Sequence, residues 1–265
     1  MRTILITGST DGVGKLTALK LAKQGHQMLL HGRDSEKLAD TILAIKDQTG
    51  NAKISGFVSD LSDFPSIEKM VVAISSEFNT IDVLINNAGV LISRIEQNQD
   101  NLDIRFAVNY LAPYLMTKGL LPLLKNSNSP RIINLSSAAQ STVSMDALAG
   151  KVQISSNAAY AQSKLALTMW SFALAKANPE IVTIAVNPGS LLNTKMALEA
   201  YGQHWSSADK GANVLCELAI SDQYADSNGK YFDNDIGSFS HAHKDAYNEE
   251  KIDQLISETS KILKK

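Results

Sequence analysis

A glycine-rich turn directly after the first apolar run constrains the fold more than any other feature of the chain. Residues 3–7 have the pattern of a buried strand, and a helical pattern begins near residue 14. In such a turn the first glycine permits a tight bend, the second lets a pyrophosphate approach the backbone, and the third lets helix and strand pack closely. The N–H groups at the helix start then face the anion. The candidate nucleotide contacts are Gly8, Ser9, Thr10, Gly12, Val13 and Gly14. The alternative is a glycine-rich turn that binds no ligand.

Strand-like runs alternate with longer helical patterns along the whole chain. The predicted strands are residues 3–7, 27–31, 53–59, 81–86, 131–135, 181–187 and, more weakly, 230–232. The predicted helices lie near residues 14–24, 35–48, 65–78, 101–124, 158–177 and 207–220. Several runs are apolar on both faces, which is typical of parallel strands covered by helices. The pattern predicts an α/β fold: one Rossmann-type, doubly wound parallel sheet of about seven strands, with ligands at the carboxyl ends.

No linker or internal repeat divides the chain, so we expect residues 1–265 to form a single dinucleotide-binding domain with a C-terminal helix at 245–263. Residues 190–206, which follow Pro188-Gly189, are predicted to form a flap. This flap carries the large apolar residues Leu191, Leu192, Met196, Leu198, Tyr201 and Trp205. It either packs on its own domain or closes over an apolar substrate and excludes water.

The composition excludes several classes of protein. Lys and Arg number 25 against 27 Asp and Glu, for a net charge of −2, so the chain lacks the basic excess of a nucleic-acid-binding protein. Its one cysteine, Cys216, excludes an internal disulfide, and no residue pattern predicts a metal site. No apolar run is long enough to span a membrane and no signal peptide is evident, so a cytoplasmic location is expected.

The end of the second strand bears on cofactor choice. Gly32 stands where an acidic residue would accept hydrogen bonds from a ribose 2′-hydroxyl, and Arg33 follows it. An arginine there can pair with a 2′-phosphate, so we expect NADP(H) to be preferred over NAD(H). A solvated arginine in a turn is the alternative, and the negative charge of Asp11 in the neighbouring loop opposes a 2′-phosphate.

The third and fourth strands end in further candidate contacts. Asp60, with Leu61 beside it, is a candidate partner of the adenine ring, and helix capping together with Ser62 is the alternative. The small residues of Asn87-Ala88-Gly89 would let the backbone contact the adenosine ribose. The asparagines at this strand end can also tie adjacent strands together.

Tyr160 and Lys164 are the candidate proton-transfer pair. Their i,i+4 spacing places them on one face of a helix. A tyrosine ordinarily has a pKa of about 10, and a nearby ammonium would lower that pKa by stabilising the phenolate. Ser136 and Ser137 end the fifth strand, where a hydroxyl can bind a carbonyl or alcohol, or merely cap a turn. Asn109 lies within a helical pattern that it does not favour, so it bends the helix, holds a water or faces solvent.

Together these residues resemble the short-chain dehydrogenase/reductase family, closest in pattern to its retinol-dehydrogenase-like branch. The features that carry the resemblance run in the family's order: Gly8/Gly12/Gly14, Asp60, Asn86-Asn87-Ala88-Gly89, Asn109, Ser137, Tyr160/Lys164 and Pro188-Gly189. The segment from Ser137 to Tyr160 is longer than in compact members, which favours that branch.

The resemblance implies a role for each matching residue. Tyr160 would be the general acid/base, and Lys164 would hold the nicotinamide ribose and lower the pKa of the tyrosine. Ser137 would orient the substrate, and Asn109 would support a water relay to Lys164. Pro188, Gly189 and Thr194 would contact the nicotinamide end, although one extra residue separates Thr194 from the Pro-Gly pair.

The leading hypothesis is an NADP(H)-dependent enzyme that interconverts a carbonyl compound, preferably an apolar aldehyde or ketone, with its alcohol. A nucleotide-binding regulator without turnover and a sugar-nucleotide epimerase or dehydratase are the alternatives. The helices at 102–124 and 158–177 are apolar nearly all round, so a second subunit or the chain's own C-terminal helix must cover them. The family resemblance favours a homodimer or homotetramer.

Overall fold

The computed structural model describes residues 1–264, except for the side chain of Tyr201. Within these residues, seven parallel strands form the centre of the molecule, as predicted. The parallel strands are β1 (Thr3–Ile6), β2 (Gln27–Gly32), β3 (Ile54–Val58), β4 (Val83–Asn86), β5 (Arg131–Leu135), β6 (Val182–Asn187) and β7 (Lys230–Asp233). A short strand that the sequence did not predict, β8 (Ser238–Ser240), pairs antiparallel with β7.

The strand order creates the crevice in which a ligand is expected. The sheet runs β3-β2-β1-β4-β5-β6-β7-β8, so the chain reverses direction across the sheet between β1 and β4. Ligands of open parallel sheets bind outside the carboxyl ends of the strands at such a switch point. The glycine-rich turn after β1 and the asparagines after β4 flank this point.

In the described part of the chain, ten α-helices and several shorter turns cover the sheet. The α-helices are α1 (Gly12–Lys23), α2 (Ser35–Thr49), α3 (Phe64–Glu77), α4 (Ile104–Phe106), α5 (Ala112–Lys125), α6 (Met145–Leu148), α7 (Ser156–Ala177), α8 (Lys195–Tyr201), α9 (Ala208–Ile220) and α10 (Glu249–Ile262). Successive residues of β1 enter different cores: Ile4 and Ile6 pack with α1 and α9, whereas Leu5 packs with α3, α5 and α7. Strands buried on both faces in this way need the continuous apolar runs seen in the sequence.

The helix predicted at 101–124 is interrupted. A π-helical turn (Ala107–Leu111) separates α4 from α5, and the Ala112 N–H donates to the Ala107 carbonyl five residues back. Pro113 follows the turn and has no N–H, so it cannot donate the α-helical hydrogen bond to the Asn109 carbonyl. The wider spacing accommodates the proline and places Asn109 inside the molecule.

The C-terminal segment covers the two apolar helices. It consists of a 3₁₀ turn (Lys244–Tyr247) and α10, close to the predicted 245–263. Leu255 of α10 is fully buried in the core shared with α5 and α7. The Tyr110 hydroxyl and the Thr259 hydroxyl lie 2.7 Å apart. Of the two expected covers, the chain's own C-terminal segment therefore occupies part of this face.

Within residues 1–264, no helix is long and apolar enough to span a membrane.

Candidate active site

Most of the predicted site residues follow the carboxyl ends of six strands. The exceptions are Asn109, Tyr160 and Lys164, which lie in helical segments. Gly8 to Gly14 follow β1, Arg33 follows β2, Asp60 and Leu61 follow β3, Asn87 to Gly89 follow β4, Ser137 follows β5, and Pro188, Gly189 and Thr194 follow β6. Asn109 lies in the π-helical turn, and Tyr160 and Lys164 lie in the first turns of α7.

The glycine-rich turn is held against the end of β4. The Asn87 side-chain amide donates to the carbonyls of Thr7 (2.7 Å) and Gly8 (3.0 Å). Gly8 adopts a φ of +62°, which favours glycine. A Cβ at Gly14 would collide with Asn87 Nδ2 and with the Gly8 carbonyl. The backbone thus forms the tight cradle that a pyrophosphate requires.

The asparagines after β4 tie strands together, as anticipated. Asn86 donates through Nδ2 to Oδ1 of Asn134 on β5 at 2.7 Å, and Asn134 donates in turn to the Ser171 hydroxyl of α7 at 2.8 Å. This buried chain fixes the spacing between the switch point and α7, which carries Tyr160 and Lys164.

His31, a residue that the sequence did not single out, links three segments of the nucleotide end. The Gly8 N–H donates to its Nδ1 (3.0 Å), and its Nε2 lies 3.0 Å from the Ser59 carbonyl. A carbonyl only accepts, so Nε2 carries the proton and the ring is neutral. Burial lowers the pKa of His31 below its ordinary value, which agrees with this tautomer. The hydroxyl of Ser9 is also engaged here, with the His31 backbone N–H (2.9 Å) and carbonyl (3.2 Å).

Arg33 is exposed, and the nucleotide end also carries an ion pair that sequence reasoning missed. Lys37 Nζ lies 2.7 Å from Asp11 Oδ2, and the hydrogen bond from this lysine lowers the pKa of the Asp11 carboxyl. Thr10 stands close by, because a Cβ at Gly32 would lie 2.7 Å from its Cγ2. Lys37 therefore offsets the negative charge of Asp11, which on the sequence alone opposed a 2′-phosphate.

At the end of β3, Asp60 forms a local turn with Ser62 and does not cap the following helix, so the helix-capping alternative is wrong. Its Oδ1 accepts from the Ser62 N–H (2.9 Å) and from the Ser62 hydroxyl (2.7 Å), so it stabilises a local turn. The next helix, α3, instead has Asp63 at its N-cap. Leu61 is buried in the core, which leaves its backbone rather than its side chain for a ligand.

Asn109, Lys164 and Gly89 converge at the centre of the site. Asn109 accepts from the Val90 N–H (2.7 Å) and donates to the Val90 carbonyl (2.9 Å). It is only 1% exposed, so the solvent-facing alternative is wrong. A Cβ at Gly89 would lie 3.3 Å from Asn109 Oδ1 and 3.4 Å from Lys164 Nζ. Glycine therefore keeps open the space in front of the lysine.

Lys164 is a buried cation beside Tyr160. Its Nζ donates to the Leu135 carbonyl at 2.7 Å and lies 5.6 Å from the centre of the Tyr160 ring. Burial lowers the pKa of Lys164 to about 8. Asn109 is connected to the same helix, since it donates to the Ser163 hydroxyl (3.0 Å), which donates to the Tyr160 carbonyl (2.7 Å).

The structure distinguishes the two serines after β5. The hydroxyl of Ser136 is buried against α7, 2.6 Å from the Thr168 hydroxyl and 3.2 Å from the Lys164 carbonyl. Ser137 is only partly buried, and its hydroxyl accepts from the Ala139 N–H at 3.1 Å. Of the pair, Ser137 is thus the one whose hydroxyl is available to a ligand.

An acidic loop supports the Pro-Gly turn after β6. Asp235 accepts from the Ser190 N–H (2.8 Å) and from the Asn187 side chain (2.9 Å), and Asn234 donates to the Pro188 carbonyl (2.8 Å). Gly189 takes a φ of +120° at this point. The segment Asp233–Asp235, which resembles part of a calcium loop in sequence, thus positions the Pro-Gly turn.

The predicted flap contains the short helix α8 and lies over the glycine-rich turn. Thr194 caps α8, and its Cγ2 would be 3.4 Å from a Cβ at Gly12, so it reaches the cofactor loop despite the extra residue. Leu192 is buried beside Val13, whereas Leu198 and Trp205 are exposed. The side chain of Tyr201 lies outside the described residues. Part of the flap therefore packs on the domain, and part remains free to contact a ligand.

The chain matches a protein-family model and is similar in sequence to known proteins. The family model described as short chain dehydrogenase matches residues 2–204. The chain is 33% identical to retinol dehydrogenase 13 of Homo sapiens over 252 residues, covering 88% of this chain and 76% of the relative. It is 31% identical to polyprenol dehydrogenase of Homo sapiens over 256 residues, covering 88% and 77%.

Solved structures share the fold. A short chain dehydrogenase from Escherichia coli CFT073, complexed with NADPH, is 26% identical with a TM-score of 0.73 and covers 88% of this chain and 96% of its own. A protein from Mycobacterium paratuberculosis superposes with a TM-score of 0.80 over 100% of this chain and 94% of its own. At 23% identity, the second similarity bears on the fold alone.

Proposed function

The chain belongs to the short-chain dehydrogenase/reductase family and is an NAD(P)-dependent oxidoreductase, and we propose that it interconverts an apolar aldehyde or ketone with its alcohol, using NADP(H). The observation that carries the proposal is the buried Lys164 ammonium beside Tyr160, behind the opening left by Gly89. A nucleotide-binding regulator has no need of this pair. Burying a lysine ammonium costs free energy, and buried ionisable groups of this kind cluster at functional sites.

Each catalytic side chain has a distinct task in this proposal. When bound, NADPH would supply the hydride that reduces the carbonyl carbon of the substrate. Tyr160 donates its phenolic proton to the carbonyl oxygen as negative charge develops there, and Ser137 donates a hydrogen bond to the same oxygen. Lys164 stabilises the phenolate that Tyr160 becomes and holds the nicotinamide ribose. Asn109, fixed by Val90, supports a water that returns a proton towards Lys164.

The preference for NADP(H) rests on Arg33 and the Lys37–Asp11 ion pair. One charge-assisted hydrogen bond to a 2′-phosphate contributes about 1.5–3 kcal/mol, or about tenfold or more in affinity. Titration of NADPH and NADH by fluorescence tests this without any turnover, and Arg33→Ala should reduce the ratio of the two affinities. Equal affinities, or an unchanged ratio in Arg33→Ala, contradict the NADP(H) preference.

The apolar character of the flap supports the proposed substrate class. Exposed Leu198 and Trp205 belong to a segment that offers no arginine to bind a carboxylate or phosphate substrate. The test is NADPH oxidation with the straight-chain aldehydes from butanal to dodecanal and their ω-carboxylate analogues. We expect kcat/KM to rise with chain length, by up to about 0.8 kcal/mol for each buried methylene. A flat series, or faster reduction of the charged analogues, contradicts an apolar substrate.

A further inference from the structure

The backbone carbonyl of Ser137 accepts hydrogen bonds from two side chains, those of Tyr231 and Gln140. Tyr231 on β7 donates through its hydroxyl at 3.0 Å, and Gln140 donates through Nε2 at 2.8 Å. We propose that Tyr231, assisted by Gln140, is a positioning residue that fixes Ser137 at the distance from Tyr160 that catalysis requires. This inference rests on the proposed function, because it assumes that Ser137 orients the substrate.

Ser137 lies where the backbone would otherwise be free to move. β5 ends at Leu135, and the long segment that leads to α7 begins directly after the two serines. The carbonyl of Ser137 is not bonded within the sheet, so its direction depends on these two side chains. Rotation of this peptide would move the Ser137 hydroxyl, and small misplacements of an orienting group are costly in catalysis.

Tyr231 is a rigid donor. It is only 3% exposed, and β7 pairs it with Ala185 on one side and Ser240 on the other. Burial raises the pKa of Tyr231 well above its ordinary value, so the hydroxyl keeps its proton at neutral pH. A tyrosine in a paired strand also loses little conformational entropy on forming the hydrogen bond.

Gln140 connects the same carbonyl to the C-terminal segment. Its Oε1 accepts from the His243 N–H at 3.1 Å, and two residues further along each segment Thr142 donates to Asp245 at 2.7 Å. Asp245 also forms an ion pair with Lys251 at 2.8 Å. Residues beyond 204, which the family model does not match, therefore determine where Ser137 lies.

The test is a double-mutant cycle between Tyr231→Phe and Ser137→Ala, measured in single turnover with NADPH and the best aldehyde of the straight-chain series. We expect Tyr231→Phe to lower kcat about tenfold, with KM and the NADPH dissociation constant nearly unchanged. In the Ser137→Ala background the same substitution should have no further effect, since the group that it positions is absent.

Tyr110→Phe is the matched control. It also removes a buried tyrosine hydroxyl with one hydrogen bond, to Thr259, but under α10 and away from Ser137. It should leave kcat unchanged. If Tyr231→Phe does not fold, Gln140→Met replaces it in the cycle, because it removes the second donor to the same carbonyl.

The outcomes separate this inference from the proposed function. If Ser137→Ala lowers turnover and Tyr231→Phe leaves kcat intact, or lowers it equally in both backgrounds, the positioning role is wrong and the proposed function stands. If Ser137→Ala leaves turnover intact, the substrate-orienting role of Ser137 is wrong, and the positioning role is wrong with it.

Discussion

At the scale of single residues, Tyr160 and Lys164 carry different parts of the proposed chemistry, and substitution should separate them. Tyr160→Phe removes the proton donor and keeps the ring, so we expect turnover to fall by about 100-fold or more while NADPH binding persists. Lys164→Ala should reduce both turnover and NADPH affinity, because Lys164 serves the phenolate and the ribose. Near-normal activity of Tyr160→Phe would falsify the catalytic assignment.

His31 should make the stability of the nucleotide end sensitive to acid. Its pKa is lowered in the folded chain, so below about pH 6.5 the unfolded chain binds a proton that the folded chain does not. The free energy of unfolding should therefore be full above that pH and fall as the pH drops towards the lower, folded-state pKa.

Urea denaturation of the wild type and of His31→Gln, from neutral pH down to about pH 5, measures the effect of His31. As the pH falls, the free energy of unfolding of the wild type should decrease more than that of His31→Gln. His204→Gln, at an exposed position, is the control and should run parallel to the wild type. Parallel curves for His31→Gln would mean that His31 does not titrate in this way.

The residues that we propose to bind a ligand directly could be predicted from the sequence, whereas residues that form hydrogen bonds with the backbone of the site could not. Gly14, Tyr160 and Lys164 stand at fixed spacings that their chemistry requires. His31 and Tyr231 act on the Gly8 N–H and on the Ser137 carbonyl, contacts that depend on strand neighbours distant in sequence. In the sequence, His31 and Tyr231 are each only a polar residue within a predicted strand.

At the scale of elements, α10 replaces the neighbour that the apolar helices needed. Leu255 is its fully buried anchor, so Leu255→Ala should lower the free energy of unfolding by about 2–5 kcal/mol. Gln254→Ala, on the exposed side of the same helix, should change it by less than about 0.5 kcal/mol. Chemical denaturation checks both, and an equal small effect of the two would show that α10 contributes little packing.

The elements that differed from prediction are short or irregular. β8 has one apolar residue, Phe239, among three, too few for an alternation to be recognised. The π-helical turn keeps nearly the same apolar spacing as an α-helix, so only Asn109 and Pro113 hinted at it. Long periodic elements such as α7 were predicted to within two residues at each end.

At the scale of the whole molecule, the oligomeric state remains a prediction. We expected a homodimer or homotetramer, and α10 now covers part of the surface on which that expectation rested. Light scattering at micromolar concentration decides the matter: a mass at least twice 28.7 kDa supports the oligomer. A single species of 28.7 kDa would refute it and would leave the apolar helices fully explained within one chain.

The central position of β1 also shapes how the protein is made. Residues 3–6 are synthesised well before β4, with which β1 pairs and which begins only at Val83. The surface around Tyr110 stays uncovered until α10 has been synthesised. Contacts so distant in sequence slow folding and leave apolar surface open to aggregation meanwhile. The nascent chain should therefore depend on chaperones until α10 emerges, and truncation before residue 249 should yield insoluble protein.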